Sequence, residues 1–311
     1  MTATRETSAT VRVPAKINLG LSVGRREPDG YHQLATVFHA VSLFDEVTVT
    51  PNDTGDVQLA VEGAYTDGVP LDETNIAVKA AKLLAERSGV RAGAHLLLHK
   101  GIPVAGGMAG GSADAAATLV GCDAAWRTGL PRGELLSIAA ELGSDVSFAL
   151  VGGTAVGTGR GEQLTPALAR GQYHWVLALS DEGLSTAAVY AEFDRLTAGR
   201  LTPEPRVSDA LMQALRRGDG SALGEALSND LQRATFSLRP ELSDLADVGR
   251  EYGALGTVVS GSGPTVAFLV RDNEHALDLS VSLTASGACQ RVKRAHGPVH
   301  GARLADLTRL K

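Results

Sequence analysis

Apolar and polar residues alternate with a period near two through the first sixty positions, which reads as a series of strands. The segments 10–13, 17–23, 35–41, 46–50 and 57–61 carry the alternation, several of them rich in valine. Turn clusters separate them: Glu27-Pro28-Asp29-Gly30, then Pro51-Asn52-Asp53-Thr54-Gly55. Thr74 or Asn75 caps a predicted helix that runs to about Arg87, with Gly89 as its stop. A strand over 94–99 leads into a glycine-rich loop, and a helix of small residues follows from about Ser112 to Arg127. Pro131 marks the first turn of the next helix, which ends near Leu142-Gly143. A second glycine-rich stretch, 152–161, holds a short strand around 154–156. Beyond it the order is strand (173–179), helices, two strands (256–259 and 265–270), helix (273–286) and strand (289–294). Strands mixed with helices in this order predict an open sheet backed by helices, an α+β architecture. The break over 165–172 divides the chain into expected domains 10–168 and 169–311. Residues 1–9 are expected to be a disordered extension. Residues 197–206, with Pro203 and Pro205, are expected to be a loop inside the second half.

Length fits this division, because 311 residues is about twice a usual domain. Composition mostly excludes. A net charge of -6 provides no basic stripe for nucleic acid, and 4% aromatics is poor material for stacking bases along a strand. Cys122 and Cys289 are too few for a disulfide framework or a cysteine-rich zinc site. No run of eighteen apolar residues exists, and the polar start lacks the core of a signal peptide. Neither a nucleic-acid nor a membrane partner is therefore expected. The location expected is cytoplasmic, and the assembly a monomer or weak homodimer. The number that changes the picture is 36 glycines, because they cluster.

The strongest cluster is Gly101-Ile102-Pro103-Val104-Ala105-Gly106-Gly107-Met108-Ala109-Gly110-Gly111-Ser112-Ala113. It lies between a predicted strand and a predicted helix. Missing Cβ atoms let backbone approach a ligand, and successive N–H groups at a helix start suit a di- or triphosphate. A flexible loop without a ligand is the alternative. The loop is no Walker A, since the chain has no Gly-Lys pair, and the His-Arg-Asp and Asp-Phe-Gly triplets of protein kinases are absent. Three weaker signals accompany it. Pro14-Ala15-Lys16-Ile17-Asn18-Leu19 puts a lysine and an asparagine on one strand face, which by itself reads as an exposed polar pair. Asp145 in Leu142-Gly143-Ser144-Asp145-Val146 reads by itself as a helix cap. Ser260-Gly261-Ser262-Gly263-Pro264-Thr265 reads by itself as a tight connection between strands.

Taken in order, these segments resemble the GHMP kinase superfamily. Pro14–Leu19 is similar to its first motif, residues 103–113 to its second, the phosphate loop, and residues 260–265 to its third. Pro14–Leu19, Asp29-Gly30-Tyr31-His32, residues 102–112 and Leu142-Gly143-Ser144-Asp145-Val146, in that order, resemble the branch whose substrate is cytidine diphosphate methylerythritol, in the methylerythritol phosphate route to isoprenoids. The resemblance covers about residues 11–295. It implies a ribosomal-S5-domain-2-like first domain, a ferredoxin-like second domain and a cleft between them. It implies that Lys16 and Asp145 are the catalytic pair, and that Pro103 to Ala113 wrap the phosphates of ATP. Asn75 and Lys100 would lie near the adenine. Asn18, Tyr31 and His32 would hold the cytidine diphosphate end, with Thr186 and Tyr190 contributing from the second domain. One departure is Ser147, which stands where this branch often has proline. A sibling acting on a smaller alcohol would have no base for Tyr31-His32 to hold, and a non-catalytic relative would not need both Lys16 and Asp145.

The implied chemistry asks the protein mainly for positioning and charge compensation. Asp145 would accept the proton of the C2 hydroxyl, a weak base sufficing if that proton leaves late. Lys16 would offset charge growing on the γ-phosphate. Mg²⁺ is expected with ATP; no acidic cluster marks a dedicated protein site, and Ser112 is the one candidate ligand.

Overall fold

The computed structural model describes residues 8–180, 182–199 and 203–305. Two long antiparallel strands open the chain, β1 (Ala9–Arg26) and β2 (His32–Asn52). Each absorbs two of the expected strands. They stay continuous because register shifts at Pro14/Ala15 and Asn18/Gly20 take up residues that do not fit the ladder. After β3 (Val57–Gly63), α1 (Ile76–Ser88) and β4 (Gly93–Lys100) come three helices, α2 (Gly110–Trp126), α3 (Arg132–Leu142) and α4 (Ser144–Val151). The hairpin β5 (Thr154–Gly159) and β6 (Gln163–Pro166) follows. The second half runs β7 (Tyr173–Leu179), α5 (Thr186–Thr197), α6 (Asp209–Arg217), α7 (Gly220–Ala226), β8 (Ser228–Asn229), α8 (Gln232–Leu238) and α9 (Glu241–Glu251). It ends with β9 (Gly256–Val259), β10 (Val266–Val270), α10 (Asn273–Ala285), β11 (Arg291–Gly297) and β12 (Arg303–Leu304).

Two sheets result, and the α+β class is as expected. The first has the path β12-β1-β2-β4-β3, with β5 on the other end of β2 and β8 in parallel on β1. Its parallel pair β3/β4 is joined through α1, as a parallel crossover requires. The second sheet is β11-β7-β10-β9, antiparallel throughout. Its middle strands are apolar runs because both faces are covered. Tyr173, Trp175 and Leu177 join the core shared with the first sheet, while Val176 and Ala178 pack with Leu242, Leu245 and Leu279 from α9 and α10.

Two local readings change. Ala9, expected in the extension, pairs with Val49 in β1, and Ser8 hydrogen-bonds Thr50; residues 1–7 lie outside the described residues. Asp145 sits in the first turn of α4, where the sequence suggested only a cap. The chain also returns twice from its second half to the first sheet, through β8 and β12. The loop expected over 197–206 begins where α5 ends, and its residues 200–202 lie outside the described ones. Among the described residues, no helix is long and apolar enough to cross a membrane.

Candidate active site

The polar pair on β1 is buried, not exposed: Lys16 is 7% and Asn18 2% accessible. Lys16 Nζ donates to Asn18 Oδ1 at 2.7 Å. Asn18 Nδ2 donates in turn to Thr36 Oγ1 at 2.8 Å, and Thr36 donates to Gly20 O. The ammonium is thereby held in one direction, with Asp145 Oδ2 3.9 Å away. Asp145 gains from its place at the N-terminus of α4, where the helix dipole favours a negative charge. Burial, with the Asp145 charge nearby, pushes the Tyr190 phenol up to about 12, so Tyr190 faces this site as a neutral ring.

The glycine loop is tied to both other motifs. Lys16 N donates to Met108 O at 3.2 Å, and Ser260 Oγ donates to Gly107 O at 2.9 Å. Gly107 has φ +76°, and a Cβ there would fall 2.2 Å from Ser260 O. This glycine therefore serves the contact between two loops of the protein itself. Ala109, at φ 60°, is the N-cap of α2 and makes no side-chain capping bond. The first N–H groups of α2 thus lack the side-chain partner that usually covers such donors.

A cavity of about 550 Å³ opens between these parts. Lys16, Asn18, Asp145, Thr186 and Tyr190 line it, together with loop residues Ala105, Gly106, Gly107, Ala109, Gly110, Gly111 and Ser112. Pro103, Met108 and Ala113 do not line it: Pro103 is buried, and Met108 and Ala113 belong to the core. Val104 borders a second cavity of about 250 Å³ beside Asn75 and Lys100. Asn75 caps α1, accepting from Ala77 N and donating to Pro70 O. The Lys100 ammonium is not free for a base, because it bridges Asp45 and Asp114 in a buried triad. Burial alone would lower its pKa, but the Asp114 and Asp45 carboxylates beside it reverse that and raise it. Burial pushes the Asp114 carboxyl up, more than Lys100 brings it down.

The other end of the large cavity is looser. Tyr31 is 59% exposed on the turn between β1 and β2. It borders a side cavity of about 220 Å³ with His32 and Arg160. His32 is buried, its ring 5.2 Å from that of Tyr190. Its ring nitrogens already have neighbours within the protein. Nδ1 donates to Gly24 O at 2.8 Å, and Nε2 lies 3.3 Å from Asp194 Oδ1. The ring therefore holds Tyr190 and α5 against the hairpin. Thr186 Oγ1 is 2.9 Å from Ser262 Oγ, which ties α5 to the third motif.

Several residues of the site have no local signature. Asn229 Nδ2 donates to both Val259 O and Gly261 O, clamping the third motif. Asp45 is an acid inside an apolar strand, the one clue to the buried triad. Arg160 lies between two glycines, the only sign that it stands at a turn. Among the described residues, no group of three or more His, Cys, Asp or Glu could hold a metal ion.

The GHMP kinases N terminal domain matches residues 75–153, and the GHMP kinases C terminal domain matches residues 211–289. On this fold and around this loop, those matches define the class: an ATP-dependent small-molecule kinase of the GHMP type. A 4-diphosphocytidyl-2-C-methyl-D-erythritol kinase of Thermobifida fusca is 58% identical, over 95% of this chain and 98% of the relative. One from Streptomyces avermitilis is 56% identical, over 95% and 99%. A solved 4-(cytidine 5'-diphospho)-2C-methyl-D-erythritol kinase superposes with a TM-score of 0.73 at 32% identity, over 92% of this chain and 98% of that one. A homoserine kinase from Cytophaga hutchinsonii reaches the same TM-score of 0.73 at 18% identity, over 98% and 99%, and so shares the fold. The chain belongs to the 4-diphosphocytidyl-2-C-methyl-D-erythritol kinase family of the GHMP kinases.

Proposed function

We propose that the chain transfers the γ-phosphoryl group of ATP to the C2 hydroxyl of 4-diphosphocytidyl-2-C-methyl-D-erythritol. The observation that carries this is the convergence of Lys16, Asp145 and the uncapped start of α2 on one cavity. Asp145 accepts the hydroxyl proton as the bond to phosphorus forms. Lys16, oriented by Asn18, offsets charge on the transferred group. Phosphoryl transfer needs little more from a protein than such placement. The N–H groups at the start of α2 hold the phosphates of ATP, which enters as its Mg²⁺ complex. The adenine occupies the second cavity, against Asn75, Ile76 and Val104.

The cytidine end extends toward Tyr31, with Tyr190 and Thr186 bordering the path and His32 acting through Tyr190. The domains on either side of the cleft are taken as 10–168 and 169–311. Both reactants are polyanions that do not cross membranes unaided, which supports a cytoplasmic location. We also take the assembly to be a monomer or weak homodimer. ATP consumption measured against a panel of alcohols tests the reading: the cytidylylated methylerythritol, homoserine and mevalonate. Turnover confined to the first supports it, whereas preference for either small alcohol replaces it.

A further inference from the structure

We propose that Arg160 is a specificity-determining residue that reads the diphosphate bridge of the cytidine substrate, and that in the free protein its guanidinium occupies the seat of the nucleobase on Tyr31. This rests on the substrate reading above. Arg160 stands at the turn between β5 and β6, between Gly159 at φ +73° and Gly161 at φ +104°. Its guanidinium carbon lies 4.1 Å from the centroid of the Tyr31 ring. A flat cation at that spacing covers the face a flat base would use, so the two exclude one another. The same guanidinium pairs with Asp29, whose carboxylate also accepts from Tyr31 N at 3.0 Å.

That ion pair is solvated, with Arg160 52% and Asp29 50% exposed at the side chain. Pairs of this kind are worth little and exchange readily. A base arriving on Tyr31 can therefore displace the guanidinium without breaking a buried contact.

The displaced group has a place to go. Among the described residues, Arg160 alone lines both the side cavity of Tyr31 and the large cavity of Lys16 and Asp145. A substrate that puts its base in the first and its hydroxyl in the second must run its diphosphate between them. Among the described residues, Lys16 and Arg160 are the only cations lining the large cavity, and Lys16 is already directed at Asn18 and Asp145. Arg160 is left for the diphosphate, and a guanidinium fork matches phosphate oxygens two at a time.

The test titrates cytidine and CDP into the protein by calorimetry, with a non-hydrolysable ATP analogue saturating the glycine loop. In Arg160→Ala the affinity for CDP should fall at least tenfold, while that for cytidine stays level or rises as the seat on Tyr31 is vacated. Arg160→Lys should fall between, keeping the charge but losing the fork. Unchanged affinity for the ATP analogue serves as the control that the fold is intact. Equal losses for cytidine and CDP, or no loss for CDP, overturn the role of Arg160. Wild-type protein that binds neither probe instead overturns the substrate reading beneath it.

Discussion

The two ends of the cleft are built on opposite principles. At the phosphate end, Lys16, Asn18 and Thr36 are buried and chained by hydrogen bonds, and Ser260 locks Gly107 in place. At the base end, Tyr31 is mostly exposed and is held by one guanidinium and a turn. The difference follows from what each end must do. Charge compensation for phosphoryl transfer works when donors are already placed, so that none must reorganise as charge develops. A nucleobase needs only a flat apolar face, which can stay open until the base arrives. The lysines sharpen the contrast: Lys16 presents its ammonium to a cavity, whereas Lys100 is sealed between Asp45 and Asp114.

The largest effect should come from the reacting carboxylate. Asp145→Asn is expected to lose ~10²–10⁴-fold in kcat, the span typical of general-base catalysis, with the KM for ATP nearly unchanged. Steady-state kinetics decide it; near-normal turnover in the folded variant would show that Asp145 is not the base.

Next comes the sealed lysine. Lys100→Met leaves Asp45 and Asp114 buried without their cation, a change worth ~3–5 kcal/mol of stability. Thermal unfolding should record that loss at neutral pH. Part of it should return as the pH falls, because burial already raises the Asp114 carboxyl and protonation removes its unpaired charge. A variant as stable as the wild type at neutral pH would mean that the triad does not hold the start of the loop to α2.

The glycines of the loop should divide in the same way. Gly107→Ala places a methyl against Ser260 O in left-handed backbone. It should cost at least ~2 kcal/mol and weaken ATP binding with it. At Gly111 the nearest atom to an added Cβ is Ile76 Cγ2 at 3.6 Å, an ordinary contact. Gly111→Ala should keep the melting temperature and lose about tenfold in ATP affinity, ~1.4 kcal/mol. Equal behaviour of the two variants would erase the distinction between a glycine that serves the fold and one that serves the ligand. Gly110 cannot make this separation, since its Cβ would press on Ile102 at 3.2 Å.

An effect of similar size to that at Gly111 is expected at the open end. Tyr31→Ala should weaken binding of the cytidine substrate by roughly 10–100-fold, as loss of one base–aromatic stack does, and leave ATP affinity alone. A joint loss for both ligands, with a lower melting temperature, would make Tyr31 a packing residue.

The sequence was legible where local rules hold. The cap at Asn75, the stop at Gly89, the small-residue helix after the loop and the turn before Tyr31 all follow from short patterns. It was illegible where distant segments meet. α4 has eight residues with a glycine at each end and an apolar interior, so nothing local separates it from a cap leading into a strand. Two-residue β8 and β12 exist only because β1 offers them an edge. Nothing local to His32 announces Gly24 and Asp194, which lie against its ring nitrogens. Nor does anything local to Lys100 announce its partners, since Asp45 and Asp114 lie on other elements.

One comparison bears most directly on whether the two ends work together. It sets kcat/KM of the wild-type protein for the cytidylylated methylerythritol against that for free methylerythritol, at one concentration of ATP. The open end is expected to contribute binding through Tyr31 and Arg160, so the free alcohol should fall by at least two orders of magnitude. Equal values would mean that the base end is not read, and that the protein is a kinase of the small alcohol itself.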